Sequence, residues 1–145
     1  QFDVTGVDTD RSVGQYSGMR DNYFYLDESL IQNTLANIGK QMKLVTVASG
    51  DVFVTSSEDK RRLAKEFGAD ICEMELAGIA IACERNNVPL FSVKVVSDKA
   101  DESANVSFLS IVEKGVAGYE KILPEILKAV KDGATALPPV KHEKA

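Results

Sequence analysis

Short apolar runs alternate along the chain with segments whose apolar positions have helical spacing. The runs at 44–48 and 90–96 are rich in β-branched residues and stop at Ser-Gly or Ser-Asp, which predicts two buried strands. A briefer strand is predicted at 71–72, and 2–7 has a similar strand-like pattern. Strands that alternate with helices over this length predict an α/β fold, a three-layer αβα sandwich with a central mixed sheet.

Two amphipathic helices are predicted in the first half of the chain. Asp27 precedes an apolar stripe at positions 30, 31, 35 and 38, which predicts a helix that ends near Gly39. Ser57 precedes a charged helix whose C-terminal stop is Gly68.

Two further helices are predicted in the second half. Residues 76–85 are apolar on nearly every side, which is typical of a buried helix. A long pattern begins with Ser107 as its cap, is expected to kink at Pro124 and ends at Gly133. Residues 133–145 are interpreted as a polar tail that follows a single domain at 1–132.

Composition narrows the possible functions. The 145 residues are 44% hydrophobic with a net charge of -5 and no apolar run of about 18 residues, so neither a membrane span nor a nucleic-acid partner is expected. Cys72 and Cys83 lie in apolar stretches and predict reduced thiols in a cytoplasmic protein. The single histidine, His142, lies in the tail, which argues against a histidine metal site and a Ser-His-Asp triad. The acidic segment 98–102 lacks a calcium-loop pattern, so we expect no metal and no cofactor.

Candidate chemistry follows the predicted strands, because ligands bind at the carboxyl ends of strands in α/β sheets. Glu75 stands directly before a helix and could accept hydrogen bonds from a vicinal diol; the alternative is that it caps the helix while Glu73 is solvated. Met74 between them is more often a core residue. Asp98, at the rim of the sheet, is a candidate general acid, or an Asp in a turn supported by Ser97.

The sequence allows two interpretations for each of three other side chains. Phe53 could stack on a planar base or pack in the core, and Phe108 has the same ambiguity. Lys94 lies inside an apolar run, so it needs a polar or anionic neighbour unless it is at a strand edge.

Taken together, these residues resemble the purine nucleoside phosphorylase/uridine phosphorylase superfamily, in particular the 5'-methylthioadenosine/S-adenosylhomocysteine nucleosidases. The resemblance extends from about residue 2 to 127 and rests on ordered pieces that are specific only in combination. The pieces are Gly14-Gln15, Ser-Gly-Asp-Val-Phe-Val at 49–54, Cys-Glu-Met-Glu-Leu-Ala-Gly-Ile-Ala at 72–80, and Ser-Asp-Lys-Ala-Asp at 97–101 followed by Ser107-Phe108.

The resemblance implies a hydrolase of nucleoside catabolism and methionine salvage. It would break the N-glycosidic bond of 5'-methylthioadenosine or S-adenosylhomocysteine and release adenine and a thioribose. By this similarity Asp98 protonates the purine and Ser97 orients Asp98. Glu75 holds the ribose hydroxyls, and Glu73 supports its loop.

The resemblance also implies the remaining substrate contacts. Met74 would pack on the sugar, Phe53 would stack on adenine, the backbone of Val54 would bind the base edge, and Phe108 would line the 5'-alkylthio pocket. The segment with Val4 and Val7 resembles one that reaches into a neighbouring subunit, which implies a homodimer.

Some features depart from the family pattern. The chain begins at Gln1 and continues at once into a strand-like segment, so we expect the N-terminal part of the domain to be missing, together with the glutamate that activates water. The site would then be incomplete in this chain alone, and a separate N-terminal segment could complete it. Lys94 stands where these nucleosidases usually have arginine. A phosphate-dependent purine nucleoside phosphorylase and a nucleoside-binding protein without turnover remain the alternatives.

Overall fold

The structure is a computed structural model that describes residues 21–38 and 42–134. In chain order its elements are α1 (Glu28–Ile38), β1 (Val47–Ser49), α2 (Ser57–Phe67), β2 (Ile71–Glu73), α3 (Leu76–Arg85) and α4 (Ala104–Ala134). The predicted segment at 2–7 lies outside the described residues, and so does the predicted tail at 133–145 after Ala134, where α4 ends.

The two strands form a parallel pair joined through α2, the βαβ arrangement expected of an α/β fold. Val47 is opposite Ile71, and Ser49 is opposite Glu73. The Ser49–Glu73 pair is closed by the Gly50 N–H, which donates to the Glu73 carbonyl at 3.1 Å. The α/β class is therefore confirmed, and the parallel register brings the carboxyl ends of both strands to one edge.

The segment 90–96 does not form the predicted strand among the described residues. Its carbonyls bind elsewhere: Leu90 accepts from the Asp27 N–H at 3.2 Å, and Val93 accepts from the Tyr119 hydroxyl at 3.0 Å. A strand requires a neighbouring backbone, and no described segment pairs with this one, so the run forms no ladder. Within residues 21–38 and 42–134 the sheet has two parallel strands, and the predicted central mixed sheet of more strands is not formed there.

Local capping explains where the first two helices begin. Asp27 caps α1 as predicted, because its Oδ1 accepts the Leu30 N–H at 2.9 Å. The cap of α2 is Ser56 rather than Ser57, since the Ser56 hydroxyl accepts the Asp59 N–H at 3.1 Å. Gly68 ends α2 in the left-handed conformation, with φ of 60°.

The last two helices differ in part from expectation. α3 has the predicted bounds, but among its residues only Leu76 and Ala80 are buried by the described chain, so the prediction of an all-round buried helix is wrong there. α4 begins at Ala104, three residues before the predicted cap Ser107, because the Asp101 carbonyl accepts the Ala104 N–H at 2.9 Å. It continues through Pro124 and packs against α1.

The buried apolar side chains come from several elements and form a small core: Leu30, Val54, Leu76, Ala80, Ala104 and Ile126. Thr34 is buried with them, and its hydroxyl donates to the Leu30 carbonyl at 2.7 Å. None of the helices within the described ranges carries an apolar stretch long enough to cross a membrane.

Candidate active site

Glu73 is the most heavily bonded side chain at the sheet edge. Its two carboxylate oxygens accept the Leu76 N–H at 3.0 and 2.9 Å, and Oε2 also accepts the Glu75 N–H at 3.2 Å. Lys94 Nζ donates to the same Oε2 at 2.8 Å. Glu73 therefore holds the start of α3, and the interpretation of Glu73 as a solvated side chain is wrong, since only 12% of the side chain is exposed.

Burial by itself raises the pKa of Glu73. The hydrogen bonds from Lys94, from the Ser49 hydroxyl and from the backbone N–H groups of Leu76 and Glu75 outweigh that effect, so the net pKa lies below its ordinary value. The carboxylate is thus held in its charged form, and the anionic neighbour that the apolar setting of Lys94 required is Glu73.

Ser49 joins the two strand ends to α3. Its hydroxyl oxygen accepts the Ala77 N–H at 2.8 Å and its hydroxyl bonds to Glu73. No separate role was predicted for Ser49, although its position at the end of a predicted strand was a signal that could have identified it.

Glu75 lies at the N-cap position of α3 but makes no side-chain capping bond. It is exposed, as is Met74, whose exposed fraction is 41%. The interpretation of Glu75 as the cap is therefore wrong, since Glu73 takes that part. Met74 is not a core side chain of the described residues.

Ser97 and Asp98 form one hydrogen-bonded turn. The Ser97 hydroxyl donates to Asp98 Oδ2 at 2.6 Å, and the Ala100 N–H donates to Oδ1 at 2.8 Å. Both residues are half-buried. Asp98 is therefore a turn residue supported by Ser97, and its carboxyl group is fixed in orientation by a bond on each oxygen.

The charge of Asp98 in this turn affects the Cys72 thiol on β2. Burial raises the pKa of the Cys72 thiol, and the Asp98 carboxylate raises it further. Cys72 is the residue of β2 that precedes Glu73, so the Asp98 carboxylate acts on a side chain of this strand. Cys72 and Cys83 are both free thiols in the structure.

The structure describes the side chains of some of the predicted substrate-contact residues and not of others. Phe53 is 45% exposed, so it is not a core residue of the described chain, whereas Val54 next to it is buried. Phe108 lies on α4 and its side chain is outside the description, as are Val4 and Val7. Among the described residues no group of three or more His, Cys, Asp or Glu side chains could hold a metal ion.

A cavity of about 570 Å³ lies elsewhere, between the segment before α1 and the end of α3. Its lining includes Tyr23, Tyr25, Cys83 and Glu84 and none of the predicted site residues. The chemistry-bearing carboxylates are instead at the open edge where β1 and β2 end.

A model of a known protein family matches residues 8–129, and its description is phosphorylase superfamily. The chain belongs to the phosphorylase superfamily. This match covers the strand ends, the Glu73–Glu75 turn and the Ser97-Asp98 turn, and it confirms the resemblance seen in the sequence.

Two curated relatives of this chain are named as nucleosidases. The 5'-methylthioadenosine/S-adenosylhomocysteine nucleosidase of Buchnera aphidicola is 32% identical over 133 residues, which are 87% of this chain and 57% of that protein. The aminodeoxyfutalosine nucleosidase of Helicobacter pylori is 41% identical over 86 residues, which are 59% of this chain and 37% of that protein.

Solved structures agree with these relatives. The 5'-methylthioadenosine/S-adenosylhomocysteine nucleosidase of Neisseria meningitidis, in complex with methylthio-immucillin-A, matches with a TM-score of 0.76 and 31% identity, over 88% of this chain and 56% of that one. The futalosine hydrolase of Helicobacter pylori also matches with a TM-score of 0.76, at 32% identity over 87% of this chain and 54% of its own. This phosphorylase-superfamily chain thus spans about half the length of the solved relatives.

Proposed function

We propose that this chain carries the purine- and ribose-binding part of a nucleosidase, which hydrolyses the N-glycosidic bond of 5'-methylthioadenosine or S-adenosylhomocysteine. The observation that carries the proposal is that Glu73 and Glu75 have different contacts. The Glu73 carboxylate binds backbone N–H groups and Lys94, whereas Glu75, two residues later, is exposed and makes no capping bond. A carboxylate with free lone pairs can accept both hydroxyls of a ribose diol.

Asp98 is the proposed general acid. Its proton passes to the purine as the bond between the base and the sugar breaks, so adenine leaves as a neutral base. A water oxygen adds to the sugar carbon and releases a proton, which replaces the one that Asp98 gave up. The Ser97 hydroxyl at 2.6 Å supports this role because it fixes which way the carboxyl group points. Exposed Phe53 and Met74 would contact adenine and the sugar, Val54 would bind the base edge through its backbone, and Phe108 would line the 5' pocket.

A second substrate class has its own support. The Helicobacter pylori relative of 41% identity is named an aminodeoxyfutalosine nucleosidase, and a solved relative is named a futalosine hydrolase. A nucleosidase breaks the bond between a base and a sugar, so the same Glu75 and Asp98 chemistry would apply to this substrate class.

The test is base release from each nucleoside by the purified protein with the N-terminal segment of the family fold present, measured by chromatography with and without phosphate. Release that does not depend on phosphate supports a nucleosidase, whereas phosphate-dependent release supports a phosphorylase. Asp98→Asn should lower turnover by about 10²- to 10⁴-fold, the usual contribution of a general acid. Asp132→Asn, at the exposed end of α4, is the matched control and should keep full turnover. Full turnover by Asp98→Asn would exclude the general-acid role.

The proposed assembly is tested separately. We propose a homodimer, in which the segment with Val4 and Val7 reaches the neighbouring subunit, and completion of the site by an N-terminal segment of the family fold. Intact mass and sedimentation velocity on the active material measure both features. An active monomer whose mass is that of this chain alone would exclude them. The cytoplasmic location stays a prediction, which the two free thiols support.

A further inference from the structure

We propose that Lys60, on the first turns of α2, is a positioning residue that holds the peptide group to which Asp98 is bonded. The proposal rests on the proposed function, because its catalytic consequence requires Asp98 to be the general acid. Lys60 Nζ donates to the Lys99 carbonyl at 2.7 Å. The N–H of that same peptide group belongs to Ala100, and it donates to Asp98 Oδ1 at 2.8 Å.

The two bonds lie on opposite ends of a single planar peptide unit. The C=O of Lys99 and the N–H of Ala100 are fixed relative to each other by the planarity of the peptide bond. A cation that fixes the carbonyl therefore also fixes the direction in which the N–H points. It also polarises the unit, so the N–H becomes a better donor to Asp98.

The backbone at this point needs an external support. Ala100 has φ of 50°, the left-handed region that a residue with a Cβ rarely adopts. Such a conformation persists only where surrounding contacts impose it. Lys60 supplies one such contact from a helix that is otherwise remote from the turn in sequence, 39 residues before Lys99.

A second contact joins the same helix to the same loop. The Glu102 carboxylate accepts the Ser57 N–H at 2.9 Å and the Ser57 hydroxyl at 2.6 Å. Lys60 is also 3.9 Å from the Asp101 carboxylate. The start of α2 thus holds the loop 99–102 at two places, and Lys60 is the contact nearest to Asp98.

The charges that face Lys60 are consistent with a positioning role. The Asp101 carboxylate is the acidic partner of Lys60. Burial and Asp98 raise the pKa of Cys72, and the ammonium group of Lys60 offsets part of that rise. About half of the Lys60 side chain is exposed, so its removal should not leave a buried unpaired group. Loss of local order in the loop, rather than loss of global stability, is therefore the expected effect.

The experiment compares Lys60→Met, Lys60→Arg and the control Lys65→Met, which removes an equal charge from the last turn of the same helix. Amide hydrogen exchange at Ala100 is the first readout, since it reports opening of the bond to Asp98 whether or not the protein turns over. We expect exchange about fivefold faster in Lys60→Met, because a bond from a charged donor is lost. Lys60→Arg should restore most of the protection, and Lys65→Met should match the wild type.

Turnover is the second readout. Base release should show kcat lowered by about fivefold in Lys60→Met with KM little changed, since Lys60 contacts the acid's support rather than the substrate. Unchanged exchange at Ala100 in Lys60→Met would overturn the proposal, as would faster exchange with unchanged kcat. A wild type that carries the completing N-terminal segment and releases no base from any nucleoside would overturn the proposed function and the catalytic part of this inference, while the exchange result would still decide whether Lys60 holds the loop.

Discussion

The ion pair between Glu73 and Lys94 should stabilise the fold measurably, and Glu73→Gln tests it. The substitution keeps the shape of the side chain and one oxygen that can accept from the Leu76 N–H. It removes the negative charge that Lys94 contacts at 2.8 Å and turns an NH₂ group or a neutral oxygen toward the ammonium group. Lys94 is then left half-buried without its counter-ion.

The size of the effect follows from burial. The exposed fractions of the two side chains are 12% for Glu73 and 29% for Lys94. Breaking a fully buried pair costs about 3–5 kcal/mol, and an exposed pair contributes about 0.2–1 kcal/mol. A pair between these limits should contribute about 2 kcal/mol to the free energy of unfolding. For a chain of this size that corresponds to a fall in Tm of about 4–8 °C.

Urea unfolding followed by circular dichroism at neutral pH gives the free energy of unfolding. The control is Glu66→Gln on α2, whose carboxylate is half exposed and contacts Arg62 at 3.4 Å. We expect the control to change stability by less than about 0.5 kcal/mol. Equal losses for the two variants would refute the argument that Glu73 acts through its buried contacts.

The pH dependence of stability distinguishes a lost ion pair from a simple packing defect, which would not depend on pH. The pKa of Glu73 is lower in the folded protein than its ordinary value of 4.5, because the hydrogen bonds outweigh the effect of burial. Its contribution is therefore fully present above about pH 4.5 and is lost as the pH falls through the folded value. The stability difference between wild type and Glu73→Gln should be constant near neutral pH and shrink in acid. A difference that stays constant into strong acid would contradict the ionic origin.

Two further predictions concern a pair of glycines and one cysteine. Gly68→Ala should lower stability by about 1 kcal/mol, since the residue has φ of 60°, whereas Gly78→Ala inside α3, with open space at its Cβ, should raise stability by up to about 1 kcal/mol. Urea unfolding of both variants should give opposite signs, and equal signs would contradict the conformational argument. Alkylation of Cys72 by iodoacetamide, followed by mass spectrometry, should be slower than that of an unperturbed thiol because burial and the Asp98 carboxylate raise its pKa, and Asp98→Asn should accelerate it.

The sequence pattern predicted those elements whose signals are local. The stripe after Asp27 and the stop at Gly68 gave the first two helices within one or two residues, because a cap needs only its own turn. The apolar run 90–96 predicted a strand, which does not form among the described residues. Apolar, β-branched composition indicates burial, but a strand also needs a neighbouring backbone, which composition does not specify.

The candidate site shows the same limit. The rule that ligands bind after strands selected Glu73, Glu75 and Asp98. It did not indicate which glutamate caps α3, because that depends on how the turn folds the Glu73 side chain back over the N–H groups two and three residues later. Nor did it indicate Lys60, since its contact with the Asp98 loop exists only after α2 has packed beside that loop.

The separation of tasks between Glu73 and Glu75 has an energetic reason within the proposed function. A helix N-terminus needs an acceptor, and loss of a capping bond costs about 0.5–2 kcal/mol. If Glu75 were the cap, a ribose diol could bind it only by displacing that bond, and the cost would be subtracted from the binding free energy. Glu73 satisfies the N–H groups of Glu75 and Leu76 and is itself neutralised by Lys94. Glu75 can therefore accept hydroxyl groups while the N–H groups of Glu75 and Leu76 keep their bonds to Glu73, so binding does not weaken the element that positions the carboxylate.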